Sequence, residues 1–211
     1  PPGSTLFPST TLFRSLGRAW KEWKLEELMG TVQPEYRKAL KTYLTVTDGP
    51  LQKARALLKT PESQEALIVV NLLDAQDQVR AVTGEGGEVF LIVGPSDKPN
   101  VQGLIKEFAR LSIEPAVNKA VAKWAGGAAV LKEAQLAGAT ETTVAEFAAG
   151  AIGEAIALRS IDANDAAYEA AASRGYFGIK DIAKLFDEGK PLDAIVSDAL
   201  GKIETRRPVK K

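Results

Sequence analysis

Three short stretches hold residue types from which a chemical site could be built. Ser96, Asp97 and Lys98 follow an apolar run and precede a helical pattern, and the turn from strand to helix is where α/β folds often place ligands. A serine beside a lysine can in principle form a nucleophile with its base. No further base stands at a recognisable spacing, and Pro95 and Pro99 frame the triplet as a plain turn with Asp97 or Asn100 as helix cap. Gly84, Gly86 and Gly87 form a glycine-rich loop, and such loops can cradle phosphate through backbone N–H groups. Here Glu85 and Glu88 would repel a phosphate, and no Lys or Ser/Thr stands at the phosphate-loop offset. The loop therefore reads as a hairpin turn. Asp74, Asp77, Glu85 and Glu88 could offer oxygens to Mg²⁺ or Ca²⁺, but they fall as two pairs at opposite ends of one strand, too few at each end for calcium.

Other patterns suit binding. Trp20, Lys21, Trp23 and Lys24 interleave aromatic and basic groups, as do Lys119, Lys123 and Trp124, a signature of nucleic-acid or membrane-surface helices. Core tryptophans flanked by solvated lysines explain both equally well. Arg206, Arg207, Lys210 and Lys211 make a basic tail that could contact phosphates of a nucleic acid, the plain alternative being a solubilising end. Tyr176 and Phe177, bracketed by Gly175 and Gly178, are an aromatic pair at a break between helices. They suit either a partner anchor or a loop folded back into the core.

Composition narrows the chemistry further. The chain has no cysteine and no histidine, which removes disulfides, thiolate nucleophiles, zinc and iron–sulfur ligation by cysteine, and the commonest general base. No catalytic residue, metal site or cofactor is assigned. Lys+Arg and Asp+Glu are both 27, so no chain-wide field attracts nucleic acid or anionic lipid. The longest apolar run, near residues 66–73, is far short of the roughly 18–20 residues that span a bilayer. The expectation is a soluble chain without a transmembrane segment, cytoplasmic or within a virion, since missing cysteines do not fix the compartment.

The elements follow from spacing and breakers. Apolar residues at helical intervals predict helices over 16–28, 34–44 and 51–58, separated at Gly30 and at Asp48-Gly49-Pro50. Residues 67–73, 78–83 and 88–93 are rich in β-branched side chains, and the turns between them suggest a three-stranded antiparallel meander. The first of these runs also reads as a buried helix continuing from Pro61. Helices are expected over 100–111, over 116–137 from Pro115, behind the capping box of Thr143 and Glu146, up to Ser173 behind Asp162 or Asn164, over 179–188, and over 191–203. The stretch 116–172 is crowded with Ala and Gly, which permits close helix approach at the cost of helix propensity.

The fold class expected is α+β, mostly α-helical, with a small central antiparallel sheet of two or three strands. Residues 1–15 have neither helical nor strand period, and residues 6–15 closely resemble the translation of a sequencing adapter, with Ser9 in place of a tyrosine. They read as a non-native lead-in on a fragment of environmental sequence whose natural start is missing. The remainder divides into helices at 16–60, the sheet with a helix at 61–113, the Ala/Gly-rich helices at 114–204 and the tail at 205–211. The function expected is a non-enzymatic structural or assembly protein, such as a viral coat or scaffold component, whose slim helices pack on copies of itself or on a protein partner. The alternatives are an enzyme or small-ligand domain using the turn at 94–100, and a nucleic-acid binder using the basic tail.

Overall fold

A computed structural model describes residues 17–206 apart from 19, 62 and 63. The elements, in order, are α1 (Leu25–Leu58), β1 (Ala66–Val70), β2 (Val79–Thr83), β3 (Val89–Val93), α2 (Val101–Val121), α3 (Gly127–Ala137), α4 (Val144–Ser160), α5 (Asp165–Ser173), α6 (Ile179–Leu185) and α7 (Leu192–Arg206). The chain is a mostly helical α+β protein, as its patterning predicts.

The front helices differ from expectation. The segments expected at 34–44 and 51–58 are parts of one helix, α1, which carries Pro34 and Pro50 in its interior. Among the described residues a short helical stretch at 17–18 and 20–22 is separate, and the break falls at Lys24, whose φ is 49°. A proline removes the N–H that would reach the carbonyl four residues back. Those carbonyls belong to Gly30 and Val46, both exposed, so water can replace the lost donor. What holds the helix together is one continuous seam: Met29, Val32, Tyr36, Leu40, Tyr43, Thr47, Leu51, Ala54 and Leu58 recur at three- and four-residue steps. Tyr43, Thr47, Ala54 and Leu58 are buried.

The sheet is mixed, which corrects the antiparallel meander. Its order is β1-β3-β2, with β1 parallel to β3 and β2 antiparallel to β3. Residues 66–70 are strand, which settles the helix alternative for that run. Val-Phe-Leu-Ile-Val of β3 takes the centre, where both edges are paired, while the equally apolar Ala-Leu-Ile-Val-Val of β1 takes an edge. The connection at 71–78 carries the chain past the centre, and β2, with Arg80 and Thr83, takes the other edge. The hairpin from β2 to β3 turns at Gly84–Gly87, where Gly87 has φ 88° and the Gly84 N–H donates to Glu88 O at 2.8 Å.

Behind the sheet, α2 and α4 form the most extensive helix pair. α2 runs through Pro115 instead of restarting there, because Ile113, Ala116 and Val117 continue its buried face; the true break lies before Gly127. α4 begins at the expected capping box of Thr143 and Glu146, and α5 at Asn164, whose side chain accepts from Ala167 N. Nearly every residue of α4 from Phe147 to Leu158 is buried. The small residues serve this internal packing: at Gly153 an added Cβ would lie 2.9 Å from Lys106 O of α2. α6 and α7 close the far side.

Candidate functional site

One unfinished surface lies on the sheet. Side chains alternate between its faces. Val70, Val89, Leu91 and Val93 point into the core, joined by the partly buried Ala66, Ile68, Val79 and Ala81. The opposite face carries two rows set by the register: Leu67, Phe90 and Val82 in one, Val69, Ile92 and Arg80 in the other. Five of these six are apolar. Leu67 and Val82 are 40% and 47% exposed. Val69, Phe90 and Ile92 are half-buried without being packed on the core. A sheet with one wet face normally alternates apolar with polar residues, whereas strands apolar on both faces are found covered on both. Here the helices that pack on the sheet are α1 against β1 and α2 against β2 and β3, and both join the core side, where Tyr43, Ala54, Leu58 and Leu104 belong to the same apolar cluster as Val70 and Leu91. The uncovered face measures about 16 Å along the strands and about 10 Å between the outer strand axes.

A second unfinished surface is the forward part of α1. Leu28 and Met29 are exposed, Val32 half-buried, and ahead of them Trp20 and Trp23 are exposed, Trp23 to 70%. The first aromatic–basic cluster is thus on the surface. In the second, Lys119 and Lys123 are exposed, Lys119 pairing with Asp193 at 2.5 Å, while Trp124 is partly buried and its Nε1–H donates to Glu204 Oε2 at 3.0 Å.

Tyr176 and Phe177 are 7% and 6% exposed, so they face the core and leave little surface for a partner to grip. Tyr176 is the hub of a polar knot. Its hydroxyl donates to Glu141 Oε1 at 2.5 Å and accepts from Lys106 Nζ at 2.8 Å, and the ammonium sits 4.7 Å from the ring centre. The ring stacks on Phe147. Nearby, the Glu154 carboxylate, almost fully buried, accepts from Gln102 Nε2 at 2.7 Å and Arg174 Nη2 at 3.0 Å, with Lys106 Nζ at 3.8 Å. Burial first, then the bond to Glu141, holds the Tyr176 phenol well above the ordinary tyrosine range. A proton-abstracting tyrosine needs the opposite shift. The knot ties α2, α4 and the loops before α4 and α6 to one another, and leaves Glu141 Oε2 buried without a hydrogen-bond partner among the described residues. No signal in the sequence marks Glu154 as a hub; it looks like any polar residue on an Ala-rich helix.

The turn at 94–100 is concave. Ser96 Oγ accepts from Lys98 N at 2.9 Å, and Asn100, not Asp97, caps α2 through Gly103 N at 2.8 Å. Ser96 and Asp97, without Lys98, line a cavity of about 300 Å³ with Glu35, Lys38, Thr42 and Gln76. The acid pairs at 74/77 and 85/88 stay at opposite ends of β2, and Asp74 is taken up by Arg80 at 2.5 Å. Among the described residues no group of three or more acidic side chains is placed to hold a metal. No described helix is long and apolar enough to cross a membrane. Of the basic tail, Arg207, Lys210 and Lys211 lie outside the described residues, and Arg206 is the last residue of α7.

Fold and surface together define a mostly helical α+β protein with a mixed sheet that the described residues cover on one side only. No protein family, curated protein or solved structure matches the chain.

Proposed function

We propose that this chain is a non-enzymatic assembly protein that docks through the uncovered face of its sheet, a coat or scaffold component being one role of that kind. The observation that supports it is the pair of apolar rows, Leu67, Phe90 and Val82 beside Val69 and Ile92, with no helix among the described residues packed over them. Contiguous exposed apolar surface marks interaction sites. Of the Ala/Gly-rich helices, α4 does not offer such a surface, because its small faces are consumed inside the fold. Val82→Glu and Leu67→Glu place a charge on the exposed face while leaving the core untouched. Light scattering of the purified chain over a concentration series should show association that these two substitutions abolish. A wild-type chain that stays monomeric at high concentration, with both variants behaving identically, rejects the reading.

A small-ligand site is the second reading, favoured by the cavity at Ser96 and Asp97. Its volume of about 300 Å³ is at the lower limit for ligand sites. Ser96→Ala and Asp97→Asn should abolish any saturable small-molecule binding found by a thermal-shift screen; binding that survives both rejects this site. The nucleic-acid reading of Arg206, Arg207, Lys210 and Lys211 is tested by deleting 206–211, which should remove salt-sensitive binding to DNA or RNA.

A further inference from the structure

Three segments lock together beside the end of β3 and build the cavity at Ser96. Tyr43 Oη of α1 donates to Gly94 O at 2.9 Å, Asn71 N donates to Val93 O at 2.8 Å, and Gly94 N donates to Gln78 O at 2.9 Å. A Cβ at Gly94 would run into the carbonyl oxygen of Ala75, so glycine is what lets the 71–78 connection lie against this turn. The walls are therefore set before any ligand arrives, which lowers the cost of binding. Ala39, Leu72 and Pro95 supply apolar lining.

The charged lining of this cavity is unspent. Glu35, Lys38 and Thr42 share one face of α1 at i, i+3 and i+7, and Asp97 comes from the turn. Among the described residues the side chains of Glu35, Lys38 and Asp97 make no ion pair and no hydrogen bond. Ser96 is 9% exposed, its Oγ accepts from Lys98 N, and its hydroxyl proton meets no acceptor among the described residues. A buried donor left in that state is costly unless something else accepts from it. Other grooves differ. Between α2 and α7, Lys119 is held by Asp193 and Glu204 by Trp124. Between α1 and the end of α4, Lys53 is held by Asp162 and Arg159 by Asp187.

We infer that this cavity takes a basic amino acid, a small molecule with two cationic groups and one carboxylate. This rests on the small-ligand reading above and names the class of ligand. Two carboxylates and one ammonium line the cavity, and the ligand complements them charge for charge. Its cationic groups meet Glu35 and Asp97, and its carboxylate meets Lys38 Nζ and the Ser96 hydroxyl. Its aliphatic stem lies on Ala39, Leu72 and Pro95. An acidic ligand would face two carboxylates, and a plain diamine would leave Lys38 and Ser96 unanswered. A volume of about 300 Å³ admits a molecule of amino-acid size and little more.

Calorimetric titration of the intact chain tests this with L-lysine and L-arginine as probes. The controls are L-glutamate, norleucine (lysine without its side-chain ammonium) and cadaverine (lysine without its carboxylate). L-lysine or L-arginine should bind saturably, and each control about tenfold more weakly or worse, since a lost charge-assisted contact costs at least that factor. Glu35→Gln and Asp97→Asn should each weaken the basic amino acid by a similar factor with circular dichroism unchanged. Lys38→Met should bring L-lysine down to the affinity of cadaverine and leave cadaverine itself unmoved, a split that a purely structural lysine would not produce. L-glutamate or norleucine binding as tightly as L-lysine, or L-lysine binding indifferent to Lys38→Met, overturns the assignment. If basic amino acids fail to bind while a thermal-shift screen finds another ligand that Ser96→Ala abolishes, the class is overturned and the small-ligand site survives. A chain that binds no small molecule saturably removes both.

Discussion

Adding one methyl group at Gly153 and at Gly201 should move stability in opposite directions. Both glycines are inside helices, α4 and α7, so replacing either with alanine gains about 0.5–1 kcal/mol of helix propensity. At Gly201 the new Cβ meets nothing within 4 Å, and the gain stands. At Gly153 it would lie 2.9 Å from Lys106 O and 3.4 Å from Arg110 N, both backbone atoms of α2. A methyl needs about 3.5 Å from such neighbours, so α2 and α4 must separate by roughly half an ångström along their contact. Overpacking of this kind costs about 1–3 kcal/mol, and a gap of that size forfeits about a quarter of each dispersion well it opens. Subtracting the propensity gain leaves Gly153→Ala less stable by up to about 2.5 kcal/mol and Gly201→Ala more stable by about 0.5–1. At roughly 2–4 °C per kcal/mol for a chain this long, the two variants should melt about 1–14 °C apart. Urea unfolding at constant slope gives the free energies directly. If Gly153→Ala is as stable as Gly201→Ala, the two helices do not approach as closely as described, and the account of the small residues fails.

Three more outcomes follow from the polar contacts. Glu154→Ala strands Gln102 and Lys106 in a buried setting and should cost about 2–3 kcal/mol, below the full penalty for breaking a buried pair because Arg174 can rehydrate at the surface. Glu154→Gln should cost about half as much, and equal stability of both variants would show that the carboxylate carries no weight. The Tyr176 phenol is held above its ordinary value by burial and by Glu141. Its linked stability is therefore complete below the unfolded pKa near 10 and is lost as pH rises beyond it. Ultraviolet titration should show this tyrosine ionising only with alkaline unfolding, and its ionisation in the folded state would contradict the knot. Hydrogen bonds from Thr142 first, and then Thr143, hold the Glu146 carboxyl below the usual range. Its contribution is present above the unfolded pKa and fades as pH falls through the lower folded value. Thr142→Val should raise its midpoint in an NMR titration, and an unmoved midpoint refutes the assignment.

Much of the local structure is legible in residue order, because it depends on neighbours a few positions away. The capping box of Thr143 and Glu146, the Asn164 cap, the hairpin at Gly84–Gly87 and the strands at 66–70, 79–83 and 89–93 need only short-range hydrogen bonds and backbone preferences. Pro34, Pro50 and Pro115 mislead for the same reason: they look like helix boundaries locally, while the burial of Tyr43 and Ala54, and of Ile113 and Val117, keeps the helices running through them. The sheet order could not be read from spacing, since pairing β1 with β3 skips a strand. Nor could the roles of the aromatics: Tyr176 and Trp124 turn inward onto Lys106, Glu141 and Glu204, partners 35 to 80 residues away, while Trp23 stays in water.

Residue order by itself determined the α+β class, the absence of thiol and imidazole chemistry, and the apolar character of both faces of β1 and β3. Only the tertiary structure decided which of those faces is covered. Covering depends on where distant helices come to rest, and a helix such as α1 can lie on just one side of the sheet it packs against.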